Sequence, residues 1–123
     1  MNKSLEVDRK MACVKSHELE RFVAAVLRAA GASEEDATAV AAALVWADLR
    51  ARYTQGVQRL PMFVRRLQRG LIVSPARMQW TPVGTAAAQL DAGNGFGHVA
   101  GRHAMYKAIE LARAHGVGAV TVR

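Results

Sequence analysis

The chain has 123 residues, 51% of them hydrophobic and only 3 of them proline, which excludes an intrinsically disordered sequence and allows one modest core. A formal net charge of +7 and a pI near 10.5 favour anionic partners, either nucleic acid or small carboxylates. The lone Cys13 excludes an internal disulfide, and no apolar run approaches the roughly 18 residues of a membrane span, so a cytoplasmic protein without membrane contact is expected.

Residues 1–15 carry no periodic pattern and are expected to form a flexible tail. Lys3, Arg9 and Lys10 make it basic, but Met11–Val14 is too short for the apolar core of a signal peptide. Met11 is an alternative start to Met1. Ser16 is placed to cap a first helix, with Leu19, Phe22, Val23, Val26, Leu27 and Ala30 at helical spacing and Gly31 at its end. Ser33 caps a second helix whose first turn, Glu34-Glu35-Asp36, suits the positive end of the helix dipole. Ala37, Val40, Ala41, Leu44 and Asp48 mark its stripe. A third helix is expected from Gly56 to Arg69, with Pro61 near its first turn and Val57, Leu60, Val64 and Leu67 as its seam.

After Gly70 the period changes. Met78–Val83 and Ala86–Asp91 predict two strands around a Gly84-Thr85 turn. Gly93–Gly97 is a turn, and His98–His115 predicts a fourth helix with Met105, Ala108, Ile109 and Ala112 on one face. Val117–Val122 predicts a strand buried on both faces. Such a strand at the extreme C-terminus is expected to need a neighbour, which points to an incomplete domain. The expected division is a tail (1–15), a helical segment (16–70) and the first strands and helix of an α/β core (71–123).

Candidate chemistry lies in the third helix. Gln55, Arg59 and Phe63 are spaced i, i+4, i+8 and share one face if the helix starts early enough. Arg59 presents a planar fork that matches a carboxylate bidentately; the alternative is a structural pair with Asp48. Arg65, Arg66 and Arg69 make the same helix basic, but the turn before it lacks helix-turn-helix spacing, so a solvated or subunit-contacting face is expected rather than a nucleic-acid reader. Gly95-Phe96-Gly97-His98-Val99-Ala100 fits G-x-G-x-x-A, yet Asp91–Asn94 intervenes after the strand, so these glycines are expected to serve turn geometry rather than a dinucleotide. Cys13 and His17 at i, i+4 are too few for zinc, His98 and His103 face different ways, and His115 suits a helix C-terminus. No metal site is expected.

The stretch Ala47-Asp48-Leu49-Arg50-Ala51-Arg52-Tyr53-Thr54-Gln55-Gly56-Val57-Gln58-Arg59-Leu60-Pro61-Met62-Phe63 resembles the A-D-L-R-G-x-x-[ST]-H-G-[VI]-x-R-L-P-x-Y signature of the type-2 malate/L-lactate dehydrogenase family. Asp91–Gly97 resembles that family's D-G-x-x-G-x-G turn, and residues 16–123 align with its N-terminal portion in order. The resemblance implies an α+β architecture: an N-terminal three-helix segment, then the start of a mixed sheet with a flanking helix. It implies hydride transfer between NAD or NADP and a 2-oxo or 2-hydroxy acid, by a protein that is a homodimer at full length. Arg59 would bind the substrate carboxylate, and Gln55 and Thr54 would line the pocket. Gln55 stands where the family has a His credited with proton transfer, and an amide has no useful proton to give near neutrality. Phe63 keeps the stacking body of the family's Tyr without its hydroxyl. No catalytic residue is therefore expected within the chain. The proton donor and most cofactor-binding residues are expected beyond Arg123, and the chain alone is expected to be inactive. The competing reading from another class is a small basic module that binds nucleic acid or a protein.

Overall fold

The computed structural model describes residues 13–123. Most of the expected tail, and Met11 as a start, lie outside the described residues; 13–15 carry no regular structure. Helix α1 spans Ser16–Ala29, α2 Glu34–Asp48, α3 Leu60–Gln68 and α4 Gly97–His115, and the strands are β1 Gln79–Pro82, β2 Ala87–Asp91 and β3 Ala119–Val122. The fold is α+β: a helical segment followed by a mixed three-stranded sheet flanked by α4. In that sheet β1 pairs antiparallel with β2, and β2 pairs parallel with β3.

Ser16 does not cap α1. Lys15 occupies the cap position without a side-chain bond, and Ser16 is already helical. The far end matches expectation: Gly31 takes φ of +106° and donates its N–H to Arg28, while Ala32 donates to Leu27. This pair of bonds is a Schellman stop, which needs a left-handed residue that glycine supplies without a Cβ penalty. Ser33 Oγ then accepts the Asp36 N–H at 3.2 Å and opens α2.

That cap is tied to a distant segment. Ser74, in the loop after α3, accepts the Ser33 N–H at 2.9 Å and donates to the buried Asp36 carboxylate. One hydroxyl thus serves a backbone amide and a buried acid together, and docks the 70–78 loop on the start of α2.

Val23 and Leu27 of α1, Val40 and Leu44 of α2, Leu60 and Phe63 of α3 and Phe96 and Val99 at the start of α4 form the main core. A second cluster, Leu90, Ala92, Ala100 and Ala104, joins β2 to α4. Helix α4 therefore belongs to both clusters and sets the helical segment against the sheet. Its buried face is not the expected one: Met105 and Ile109 are exposed, and Ala100 and Ala104 pack inward. The terminal strand also departs from expectation. β3 lies at the sheet edge and is mostly exposed, so its apolar run has cover on one side only.

The turn after β2 is closed by Asp91, which accepts the Gly93 N–H at 2.9 Å and the Arg123 guanidinium at 2.9 Å. The Gly93 amide first, and Arg123 second, hold the Asp91 carboxyl below its usual value.

Ser74→Ala leaves both the Ser33 amide and the Asp36 carboxylate short of a partner. It is expected to lower the unfolding free energy in urea by about 1–3 kcal/mol, whereas Ser74→Thr, which keeps the hydroxyl, is expected to lose less.

Candidate functional site

The segment between α2 and α3 is not one helix. Tyr53–Gln55 and Val57–Arg59 each form a single 3-10 turn, with Gly56 extended between them, and α3 begins only at Leu60. Gln55, Arg59 and Phe63 therefore do not share a helix face. Pro61 sits in the first turn of α3, where its missing N–H is tolerated. Phe63, rather than Val64, is the buried partner of Leu60.

The cause of the break is Asp48. Its carboxylate accepts the Val57 N–H at 3.0 Å, nine residues on. Gly56 is buried directly against it, and a Cβ there would collide with the Asp48 carboxylate. The chain doubles back over the end of α2, and this places Thr54, Gln55 and Arg59 on its exposed side.

Asp48 being engaged by a backbone amide, it makes no pair with Arg59. No salt bridge reaches Arg59 among the described residues. Its Nε donates to the Thr54 carbonyl at 2.7 Å, which fixes the side chain's direction. The two terminal nitrogens of the fork have no hydrogen bond to any described residue. A fixed, uncommitted guanidinium at the surface is suited to an anion, most of all a planar one.

A cavity of about 570 Å³ lies between α2, the first 3-10 turn and α4; Arg59 does not line it, but Thr54, which holds the guanidinium, is followed directly by Gln55, which does. Alanines of α2 and Trp46 line its apolar part, and Gln55, His98 and Arg102 its polar part. Arg102 faces Glu35 at 3.7 Å. Three larger clefts, two of about 680 Å³ against α1 and against the sheet and one of about 600 Å³ on α4, touch no residue of 47–70.

The expected site residues separate into two groups. Gln55 lines the cavity, and Thr54 supplies the carbonyl that orients Arg59. Phe63 is buried in the core, its ring 5.8 Å from Phe96 and 5.5 Å from His98 in an edge-on contact. It supports His98 from beneath and does not line the cavity.

His98 was set aside on sequence grounds because no partner stood at an informative spacing. In the fold it packs on Phe63 and lines the same cavity as Gln55, residues 35 and 43 positions away in sequence. Its Nδ1 is buried with no hydrogen-bond partner among the described residues. Burial first, and the charge of Arg59 second, push its pKa below the ordinary 6.5. The sequence signal is a histidine directly after the Gly95-Phe96-Gly97 turn, and it is a weak one.

The glycines of the turn do not form a dinucleotide cradle. A Cβ on Gly93 would press on the Arg77 carbonyl at 2.6 Å, and one on Gly95 would press on Ala76 at 2.5 Å. Both glycines are small because the 70–78 loop packs against them, and Phe96 between Gly95 and Gly97 is buried. The described residues thus offer no fit for a pyrophosphate at this turn. Arg65 and Arg66 are exposed in the last turn of α3, and Arg69 caps it, where positive charge complements the helix dipole. Among the described residues no group of three or more His, Cys, Asp or Glu could hold a metal, and no helix is long and apolar enough to cross a membrane.

The model of the malate/L-lactate dehydrogenase family matches residues 14–123. A malate dehydrogenase of Pyrococcus abyssi is 43% identical over 117 residues, covering 95% of this chain and 32% of that protein. Hydroxycarboxylate dehydrogenase B of Escherichia coli is 34% identical over 85% of this chain and 29% of its own length. The solved malate dehydrogenase of Pyrococcus horikoshii superposes with a TM-score of 0.88 at 34% identity, covering 99% of this chain and 35% of that one. The chain spans about a third of the length of the curated relatives it matches.

Two outcomes check this geometry. Asp48→Ala strands the Val57 amide and is expected to cost about 1–3 kcal/mol in urea denaturation, while Asp48→Asn, which keeps an acceptor oxygen, costs less. His98 has a folded pKa below its unfolded value, so the unfolded chain takes up the extra proton first as pH falls. Stability is therefore expected to drop as pH is lowered through about 6.5 and to level off below the folded value; His98→Gln should remove that component from urea melts run across this range.

Proposed function

The chain belongs to the malate/L-lactate dehydrogenase family, and from that premise we propose that it carries the substrate-carboxylate half of a site for reducing a 2-oxo acid to a 2-hydroxy acid. The observation that carries this reading is Arg59. It stands at the R-L-P position of the family signature, oriented by the Thr54 carbonyl, with its fork free among the described residues. Every 2-oxo or 2-hydroxy acid presents a carboxylate, so a cation at the pocket is required whatever the rest of the substrate.

In this reading Arg59 takes the carboxylate bidentately and so sets the substrate's orientation. Gln55 offers an amide N–H or oxygen to the substrate's polar end, and Thr54 acts through its carbonyl by holding Arg59. The alanines of α2 and Trp46 offer apolar contact to the acid's carbon chain. The reductant in such a protein is NADH or NADPH, which supplies the hydride. The turn at 93–97 has no room for its pyrophosphate, so we assign most of its binding, and the proton transfer, to residues outside this chain. A homodimer of the full-length protein accords with the apolar exposed faces of α2 and α4.

The reading is tested by carboxylate binding to the 123-residue chain, followed by NMR with pyruvate and L-malate. Arg59→Ala is expected to weaken both about tenfold to a hundredfold, as for loss of a charge-assisted pair of hydrogen bonds, and Arg59→Lys to fall between. Binding unchanged by Arg59→Ala contradicts the reading. The same purified chain is expected not to consume NADH or NADPH with either pyruvate or oxaloacetate; turnover above the protein-free rate would place the missing functions within it.

A further inference from the structure

His98 lines the cavity, and its Nδ1 is buried without a hydrogen-bond partner among the described residues. Phe63 packs edge-on against it at 5.5 Å, so the ring is held in one orientation by the core. Nδ1 is enclosed and lacks any acceptor or donor among the described residues. An enclosed N–H without an acceptor is costlier to leave than an enclosed lone pair, so the neutral ring is best protonated on Nε2. Because the ring lines the cavity beside Gln55, Nε2 is the nitrogen left to meet a guest.

The surroundings keep this ring neutral. Arg59 lies close enough for its charge to disfavour a second proton, and burial acts in the same direction. Arg102 of α4, at the rim of the cavity, is paired with Glu35 of α2 at 3.7 Å and so adds no net charge there. A neutral imidazole donates one hydrogen bond and gives away no proton. Its role is therefore recognition.

We propose that His98 is the specificity-determining residue of the site: its Nε2–H donates to the 2-oxygen of an acid whose carboxylate lies on Arg59. This rests on the carboxylate reading of Arg59 and extends it. An acid with a carbonyl or hydroxyl next to its carboxylate satisfies both groups at once. A plain carboxylic acid of the same charge satisfies Arg59 and leaves the His98 donor facing apolar carbon, which costs a desolvated polar group. The sequence hides this because the family signature places its pocket residues within residues 47–63, while His98 arrives from the start of α4.

The experiment uses the full 123-residue chain, isotopically labelled, titrated with pyruvate and with propionate, which has the same charge and lacks the 2-oxygen. The proposal expects pyruvate to move the His98 Nε2 resonance and to bind about tenfold tighter than propionate, the worth of one satisfied hydrogen bond. His98→Phe, which keeps the ring packing, should equalise the two acids, weakening pyruvate and relieving propionate of the desolvated donor. His98→Gln, which keeps an N–H donor, should restore part of the preference and serves where the phenyl variant fails to fold. If the two acids bind equally and His98 does not respond, while Arg59→Ala still weakens both, His98 has no such role and the carboxylate reading survives. If neither acid binds, or Arg59→Ala has no effect, both readings fail together.

Discussion

The bond from the Val57 amide to the Asp48 carboxylate decides what kind of surface this protein has. Asp48 closes α2 and reaches forward to the chain that has just turned past it, and only glycine at position 56 lets the backbone come that near. Two consequences follow. The segment cannot continue as a helix, so Thr54, Gln55 and Arg59 stand on a short irregular ridge instead of a helical face. The acid nearest to Arg59 in sequence is also used up by a backbone amide, so the guanidinium keeps its charge and its fork for something else. The Thr54 carbonyl then fixes the direction of that fork at little cost, because one N–H of five is spent.

Helix α4 provides the other wall. Its first turns carry residues of both clusters: Phe96 and Val99 enter the helical core, while Ala100 and Ala104 lie on β2. A helix shared in this way cannot move against either part without opening a core. His98 sits between those two commitments, with Phe63 against its ring. The cavity between α2 and α4 is thus walled by the most constrained parts of the fold, and the alanines of α2 keep it open by taking up little space. A site on such elements can hold its geometry without help from a ligand.

Most of the fold was legible from residue pattern. The Gly31 stop, the Ser33 cap, the positions of all three strands and the extent of α4 are signalled locally, by chemistry confined to a few neighbouring residues. What was not legible depended on partners far away in sequence. Periodicity joined Gly56 to Arg69 into one helix because it has no means of seeing Asp48 reach back to Val57. It chose Val64 over Phe63, and Met105 over Ala104, because side-chain hydrophobicity does not say which face a sheet or a second helix will cover. Ser16 looked like a cap by residue type, yet the helix starts one residue earlier, with no side-chain bond at Lys15. The site divided in the same way. Arg59 and Gln55 were found by a contiguous signature, whereas His98 acquires its neighbours only through tertiary packing.

Asp48 and Arg59, though near each other along the chain, serve different partners. A double-mutant cycle on unfolding free energy, with Asp48→Ala, Arg59→Ala and the pair, tests it directly. Independent roles predict a coupling energy within about 0.5 kcal/mol of zero. A coupling energy above about 1 kcal/mol, of the sign of a lost attraction, would show that the acid holds the guanidinium after all, and no free cation would remain for an organic acid.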